Sequence, residues 1–240
     1  MLLTNRAIII IHVIIRQLHD WNLSIGEAKQ VQLELARQVS RKNEENKRFN
    51  TIAGVDISGA APDNTALAAI VVLSHPDNKV IEIVRTREKL MFPYVSGFLS
   101  FREIPLLLSA FQKLTHVPDI IMVDGQGIAH PRRFGLASHL GVLLDIPTIG
   151  CAKSRLCGHH ETPDNTAGSY TELIDNDEVI GAVVKTKVNV KPVYVSIGHK
   201  IDLQSAIDNV LQCCSNYRIP EPTRLAHLAA SGKLTGTLNN

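Results

Sequence analysis

The chain reads as an α/β protein, an open mixed β-sheet flanked by helices, and three observations lead there. Three β-rich runs joined by short turns come first, alternating helical and apolar strand segments follow, and two of the apolar runs close on an aspartate. A meander followed by alternation is the pattern of a sheet covered by helices. With 240 residues, 45% hydrophobic and 20% charged, the chain has material for one sizeable core without disulfide staples. Residues 22–240 read as a single domain, and 1–21 as an N-terminal extension whose authenticity the sequence leaves open.

Taken in order, residues 23–41 place Ile25, Ala28, Val31, Leu35 and Val39 at helical spacing and predict an amphipathic helix. A polar link leads to the apolar run 51–57, a buried strand that carries Asp56 near its end. Runs 66–73 and 79–87 flank the turn-like His75-Pro76-Asp77-Asn78 and complete a meander. A helix is expected over 101–114, then a second apolar strand over 119–123 with Asp124 directly after it. A glycine-containing loop, a helix over 135–144 and a third core strand over 147–151 follow, with Lys153 just beyond. A strand pair over 179–187 and 191–198 and helices over 203–214 and 222–230 complete the order.

Composition narrows the function. A net charge of +2 neither announces nor excludes nucleic acid, since a few phosphates need only a local basic lining. Cys151, Cys157, Cys213 and Cys214 form no Cys-x-x-Cys pair, so buried thiols in a reducing cytoplasm are expected rather than zinc or disulfides. The apolar run 7–15 is too short to span a bilayer and lacks a small-residue cleavage site. No phosphate-loop or dinucleotide glycine pattern occurs.

The chemistry concentrates at strand ends, where open sheets gather their functional groups. An aspartate closing a buried strand is costly unless its charge is compensated, although one alone is as readily a cap or a turn former. Two on neighbouring strands, Asp56 and Asp124, are what a hard cation such as Mg²⁺ or Mn²⁺ prefers. Glu103 at a helix start is explained by helix-dipole electrostatics when taken alone. In the loop 124–133, Gly125 and Gly127 permit close backbone approach, and His130, Arg132 and Arg133 either meet phosphates or hold the loop. Lys153 is placed to reach the same crevice, or is an ordinary surface lysine. Tyr94 is either core filler or a wedge that fills the gap left by an extruded base. The His159-His160 pair lacks ligand spacing.

Five blocks, GVDIS from Gly54, PYVSGFLSFRE from Pro93, DGQGIAHPRRFGLASHLG from Asp124, PTIGCAKSRLCG from Pro147 and PEPTRLAH from Pro220, together resemble the endonuclease V family over roughly residues 22–230. The resemblance implies a ribonuclease-H-like fold and a metal-dependent endonuclease. Such an enzyme nicks inosine-containing DNA at the second phosphodiester 3′ to the base, leaving a 5′-phosphate and a 3′-hydroxyl. It implies a catalytic cluster of Asp56, Glu103, Asp124 and His227, with Mg²⁺ (Mn²⁺ substituting) on Asp56 and Asp124, Lys153 near the scissile phosphate and Tyr94 as wedge. Gly97, Leu99, Gly125, Gly127, His130, Gly135 and Leu136 are implied around the extruded base. Ser96 stands where many members carry proline, which predicts a looser wedge loop. An inosine-specific ribonuclease, acting on single-stranded nucleic acid or RNA, and a catalytically silent nucleic-acid-binding protein remain open.

Overall fold

The computed structural model describes residues 13–44 and 48–234. Residues 7–12 of the apolar N-terminal run fall outside them. Among the described residues the helices are α1 (Ile25–Leu35), α2 (Leu99–Phe111), α3 (Leu136–Leu144), α4 (Leu203–Gln212) and α5 (Glu221–Ala230). The strands are β1 (Thr51–Ile57), β2 (Thr65–Ser74), β3 (Val80–Lys89), β4 (Ile120–Val123), β5 (Thr148–Ala152), β6 (Tyr170–Asp175), β7 (Glu178–Val184) and β8 (Val193–His199). All eight strands join one mixed sheet in the order β3-β2-β1-β4-β5-β8-β7-β6. The expected fold class is the one observed.

Strand chemistry explains the arrangement. The meander β1–β2–β3 is antiparallel, while β4 returns beside β1 in parallel and β5 lies parallel to β4. Parallel neighbours need a long crossover, here supplied by α2 and α3. The central strands read as near-continuous apolar runs because both faces are covered. Ala53, Val55, Ile121 and Val123 pack under α2 and α3; Ile52, Ile120 and Met122 pack under α4 and α5. The outer strand β3 presents Arg85 and Arg87, charges that discourage edge pairing.

Several expectations needed correction. The first helix stops at Leu35 and tightens into a 3₁₀ turn over Ala36–Gln38 instead of reaching 41. Its start is secured by a capping box between Ser24 and Glu27. A strand not foreseen, β6, pairs antiparallel with β7 at the sheet edge. Of the extension, residues 13–21 lie on the α2/α3 face: Val13, Leu18 and Trp21 join that apolar cluster, and the Arg16 amide donates to the Leu143 carbonyl at 2.8 Å.

Candidate active site

In the parallel pair β1/β4, Val55 stands opposite Val123. The next residues along the two chains, Asp56 and Asp124, therefore emerge side by side at one end of the sheet. Both carboxylates are mostly shielded, with side chains 14% and 13% exposed. Burial pushes the Asp56 carboxyl up, against a hydrogen bond from His227; the charge of Asp124 raises it further.

The third carboxyl comes from above. Glu103 sits in the second turn of α2, which begins at Leu99 and has no acidic residue in its first turn. The helix-dipole explanation for this residue therefore falls away. Burial first, then the charges of Asp56 and Asp124, raise the Glu103 carboxyl to about 8. Repulsion from both aspartates places the three acids in one electrostatic cluster.

His227 arrives on α5, which lies directly on β1 because residue 54 is glycine. A Cβ on Gly54 would stand 1.8 Å from the Pro222 carbonyl oxygen. That close seating brings His227 Nδ1 to 2.8 Å from Asp56 Oδ2, where the ring N–H donates to the carboxylate. The Lys153 ammonium, beyond β5, donates to Asp124 Oδ2. Each aspartate is thus met by a side chain able to carry positive charge.

Among the described residues no three His, Cys, Asp or Glu side chains converge at ligating distance. The donor set nevertheless suits a hard divalent cation, since mutually repelling carboxylates gain from positive charge placed among them. A cation taking up Asp124 competes with Lys153 for it.

Beside these groups lies a cavity of about 400 Å³ lined by Tyr94, Gly97, Leu99, Gly125, His130, Gly135 and Leu136, and also by Asp124 and Lys153. The six implied base-pocket residues other than Gly127, together with Tyr94, therefore meet at one opening. Tyr94 is 77% exposed at its rim, so the core-filler reading of it does not hold. Gly127 lies behind the wall: a Cβ there would strike the Ile197 carbonyl oxygen at 2.0 Å, and its amide donates to Ser196 Oγ. Gly150 packs as closely, its Cβ position 2.5 Å from the Gly127 nitrogen. The amides of Gly125 and Gly135 are also used internally, on the Val123 and Gly127 carbonyls. These glycines shape the pocket more than they donate into it.

The basic residues of the loop turn inward. Arg133 pairs with Asp175 at 2.9 Å and Glu178 at 2.6 Å, clamping the β6–β7 turn. Arg132 spans Gln32 and the Gly97 carbonyl and covers the Phe98 ring. His130 is buried, and burial followed by the charge of Arg132 lowers its pKa to about 4. It is neutral, donating to the Gly97 carbonyl and accepting from the Arg132 amide. That carbonyl accepts from Gln32, His130 and Arg132 together. Three donors therefore hold the Tyr94–Gly97 segment at the residue next to Ser96. Gln32, on α1, gave no signal in the sequence beyond its helical spacing.

A mixed sheet with adjacent strand-end carboxylates, a third acid coupled to them and a cavity that reaches Asp124 has the make-up of an α/β enzyme, with the acids as its candidate centre. The family model described as Endonuclease V matches residues 33–228. The chain belongs to the endonuclease V family and is a nuclease. It is 52% identical over 219 residues to the Endonuclease V of Trichormus variabilis, covering 91% of this chain and 99% of that protein. The crystal structure of Endonuclease V from Streptomyces avermitilis superposes with a TM-score of 0.84 at 39% identity, over 93% of this chain and 98% of that one. Endonuclease V of Ciona intestinalis, in complex with a 24mer DNA containing an inosine followed by a ribo-adenosine, matches at a TM-score of 0.77 and 32% identity, over 88% and 97% of the two chains.

Proposed function

We propose that this nuclease nicks inosine-containing DNA at the second phosphodiester 3′ to the deaminated base, in DNA repair, using Mg²⁺ (or Mn²⁺) held by Asp56 and Asp124. The observation that carries the reading is the juxtaposition of those two aspartates with a base-sized cavity that reaches Asp124 and Lys153. The inosine-containing strand bound by the Ciona relative supports the choice of base.

The chain's own groups divide the work. Asp56 and Asp124 would hold the cation, which would supply Lewis-acid polarisation of the scissile phosphate and a more acidic attacking water. His227 fixes the rotamer of Asp56 through its Nδ1 hydrogen bond. Glu103 is the carboxyl able to keep a proton near neutral pH. Lys153, shared between Asp124 and the cavity, offers its ammonium to the phosphate. Tyr94 fills the stack when the base leaves it. A close-packed glycine wall suits a pocket that excludes the exocyclic amine distinguishing guanine from hypoxanthine by its shape.

The test is a labelled duplex with one deoxyinosine, incubated with and without Mg²⁺ and mapped at nucleotide resolution. One nick past the neighbouring nucleotide is expected, leaving a 5′-phosphate and 3′-hydroxyl, and lost in Asp56→Ala and Asp124→Ala while binding persists. Wild-type turnover by either variant would sink the assignment. Because the DNA of the Ciona complex carries a ribonucleotide after its inosine, a matched inosine RNA belongs in the same experiment. Preferred cleavage of RNA would favour the ribonuclease reading. Among the described residues no helix is long and apolar enough to cross a membrane. The four free cysteines support a reducing, cytoplasmic setting.

A further inference from the structure

A second cavity, of about 440 Å³, opens beyond Lys153 on the far side of the carboxylates. Its lining includes Lys153, Arg155, Lys185, Lys191, Arg218 and Tyr194, and no Asp or Glu. Strand register explains the position. Ala152 of β5 stands opposite Tyr194 of β8, and Val184 of β7 opposite Val193. The ends of β5, β8 and β7 therefore continue the same sheet edge that carries Asp56 and Asp124, acidic at one end of the row and basic at the other.

Two of these cations are anchored on the backbone, and Lys153 is the lining cation that a carboxylate meets among the described residues. Arg218 donates to the carbonyls of Lys153, Lys191 and Pro192, tying three loops together, and Lys185 donates to the Val190 carbonyl at 2.6 Å. Among the described residues, none of Arg155, Lys185, Lys191 and Arg218 forms an ion pair with a carboxylate. Crowded like charges are repulsive, and a cluster in which Arg218 and Lys185 rest on backbone carbonyls rather than carboxylates is suited to a polyanion. Two further features select a strand over a lone phosphate. The cavity shares Lys153, Ser154 and Arg155 with the base cavity, so the two adjoin along that segment. Half-buried Tyr194, steadied edge-on by His160 at 5.7 Å, offers an aromatic ring within the basic groove. A basic track with an aromatic platform is the arrangement that binds single-stranded nucleic acid without reading its sequence.

We infer that this groove binds the sugar–phosphate strand flanking the base held in the first cavity, with phosphates on Arg155, Lys185 and Lys191 and a base on Tyr194. The inference rests on the nucleic-acid reading above and adds to it a second subsite. The probe is a short, fluorescently labelled single-stranded oligonucleotide containing one inosine, its binding measured by anisotropy in EDTA across a salt series. For single strands each phosphate contact contributes about 0.7 to the slope of log affinity against log salt. Lys185→Gln/Lys191→Gln should therefore flatten the slope by about 1.4, so that raising salt from about 50 to 200 mM weakens the variant roughly sevenfold less than wild type.

Lys185→Arg/Lys191→Arg should restore the slope. Lys79→Gln, the loss of one lysine charge in the β2–β3 turn at the opposite end of the sheet, should leave it alone. Trimming the oligonucleotide on one side of inosine should weaken wild type and cost the glutamine variant nothing further. A wild-type slope in the double variant, an equal shift from Lys79→Gln, or no binding by wild type would overturn the inference. Since binding is read without turnover, a chain that binds through the groove yet does not nick at inosine would refute only the proposed function.

Discussion

Replacing Glu103 by glutamine isolates the electrostatic cost of the acidic cluster. The Glu103 carboxyl titrates near 4.5 in an ordinary setting and at about 8 in the folded chain, through burial and the charges of Asp56 and Asp124. A carboxyl whose pKa is raised by folding binds its proton more tightly in the native state. Its stabilising effect is complete below pH 4.5 and is lost as pH rises through about 8. Moving one carboxyl over that interval corresponds to roughly 5 kcal/mol, comparable with the lower end of a whole domain's net stability. Glutamine keeps the shape and cannot ionise, and it also removes one of the charges acting on Asp56. Urea denaturation in the presence of a chelator, from pH 5 to pH 9, measures the difference. The two proteins should unfold at similar urea concentrations at pH 5. At pH 9 the variant should be more stable by several kcal/mol, and Mg²⁺ should narrow the gap by stabilising wild type. Midpoints that run parallel across this range would refute the account of Glu103.

Two other predictions test the seating of the site. Gly54→Ala puts a methyl group into the Pro222 backbone, so α5 must retreat by at least ~1 Å, at a cost of about 1–3 kcal/mol or more. A lower urea midpoint together with impaired nicking is expected, because His227 rides on the same helix; wild-type values for both would show that α5 is not held as described. Tyr94→Ala should change stability by less than about 0.5 kcal/mol, the side chain being 77% exposed. Its nicking of inosine duplex should fall at least tenfold, while an inosine single strand, which needs no stack filled, should be cut nearly as before. Equal losses on both strands would remove Tyr94 from the wedge role.

The parts of this molecule legible in its sequence are those where local chemistry and long-range packing ask for the same residues. Strands β1 and β4 are buried on both faces, and their apolar runs with a terminal aspartate mark both the element and the site. β6 was missed because, on the sheet edge, it buries only Leu173 and shows no clean alternation. The inward turn of Arg132 and Arg133 was equally hidden. Their partners, Gln32, Asp175 and Glu178, are remote in sequence, and only the fold brings them near. Glu103 was found as a residue but misplaced within its helix, because Leu99 and Ser100 before it gave no sign of an earlier start. Gly127 illustrates the opposite error: a glycine in a ligand-facing motif that serves the packing of the loop against β8.

That packing bears on how the pocket can change over evolutionary time. On the side of Gly125 and Gly135 the cavity is backed by a wall of peptide units, pressed together with no space for a Cβ at Gly127, Gly135 or Gly150. Every gene encodes the same peptide unit, so few single-codon changes can carve this wall to a different outline without unseating a strand. Under the proposed function, adaptation to another altered base would proceed through the opposite rim, at Tyr94–Leu99 and Ser154–Leu156. The pocket is thus conservative on one side and mutable on the other, and a library aimed at new base selectivity belongs on the second.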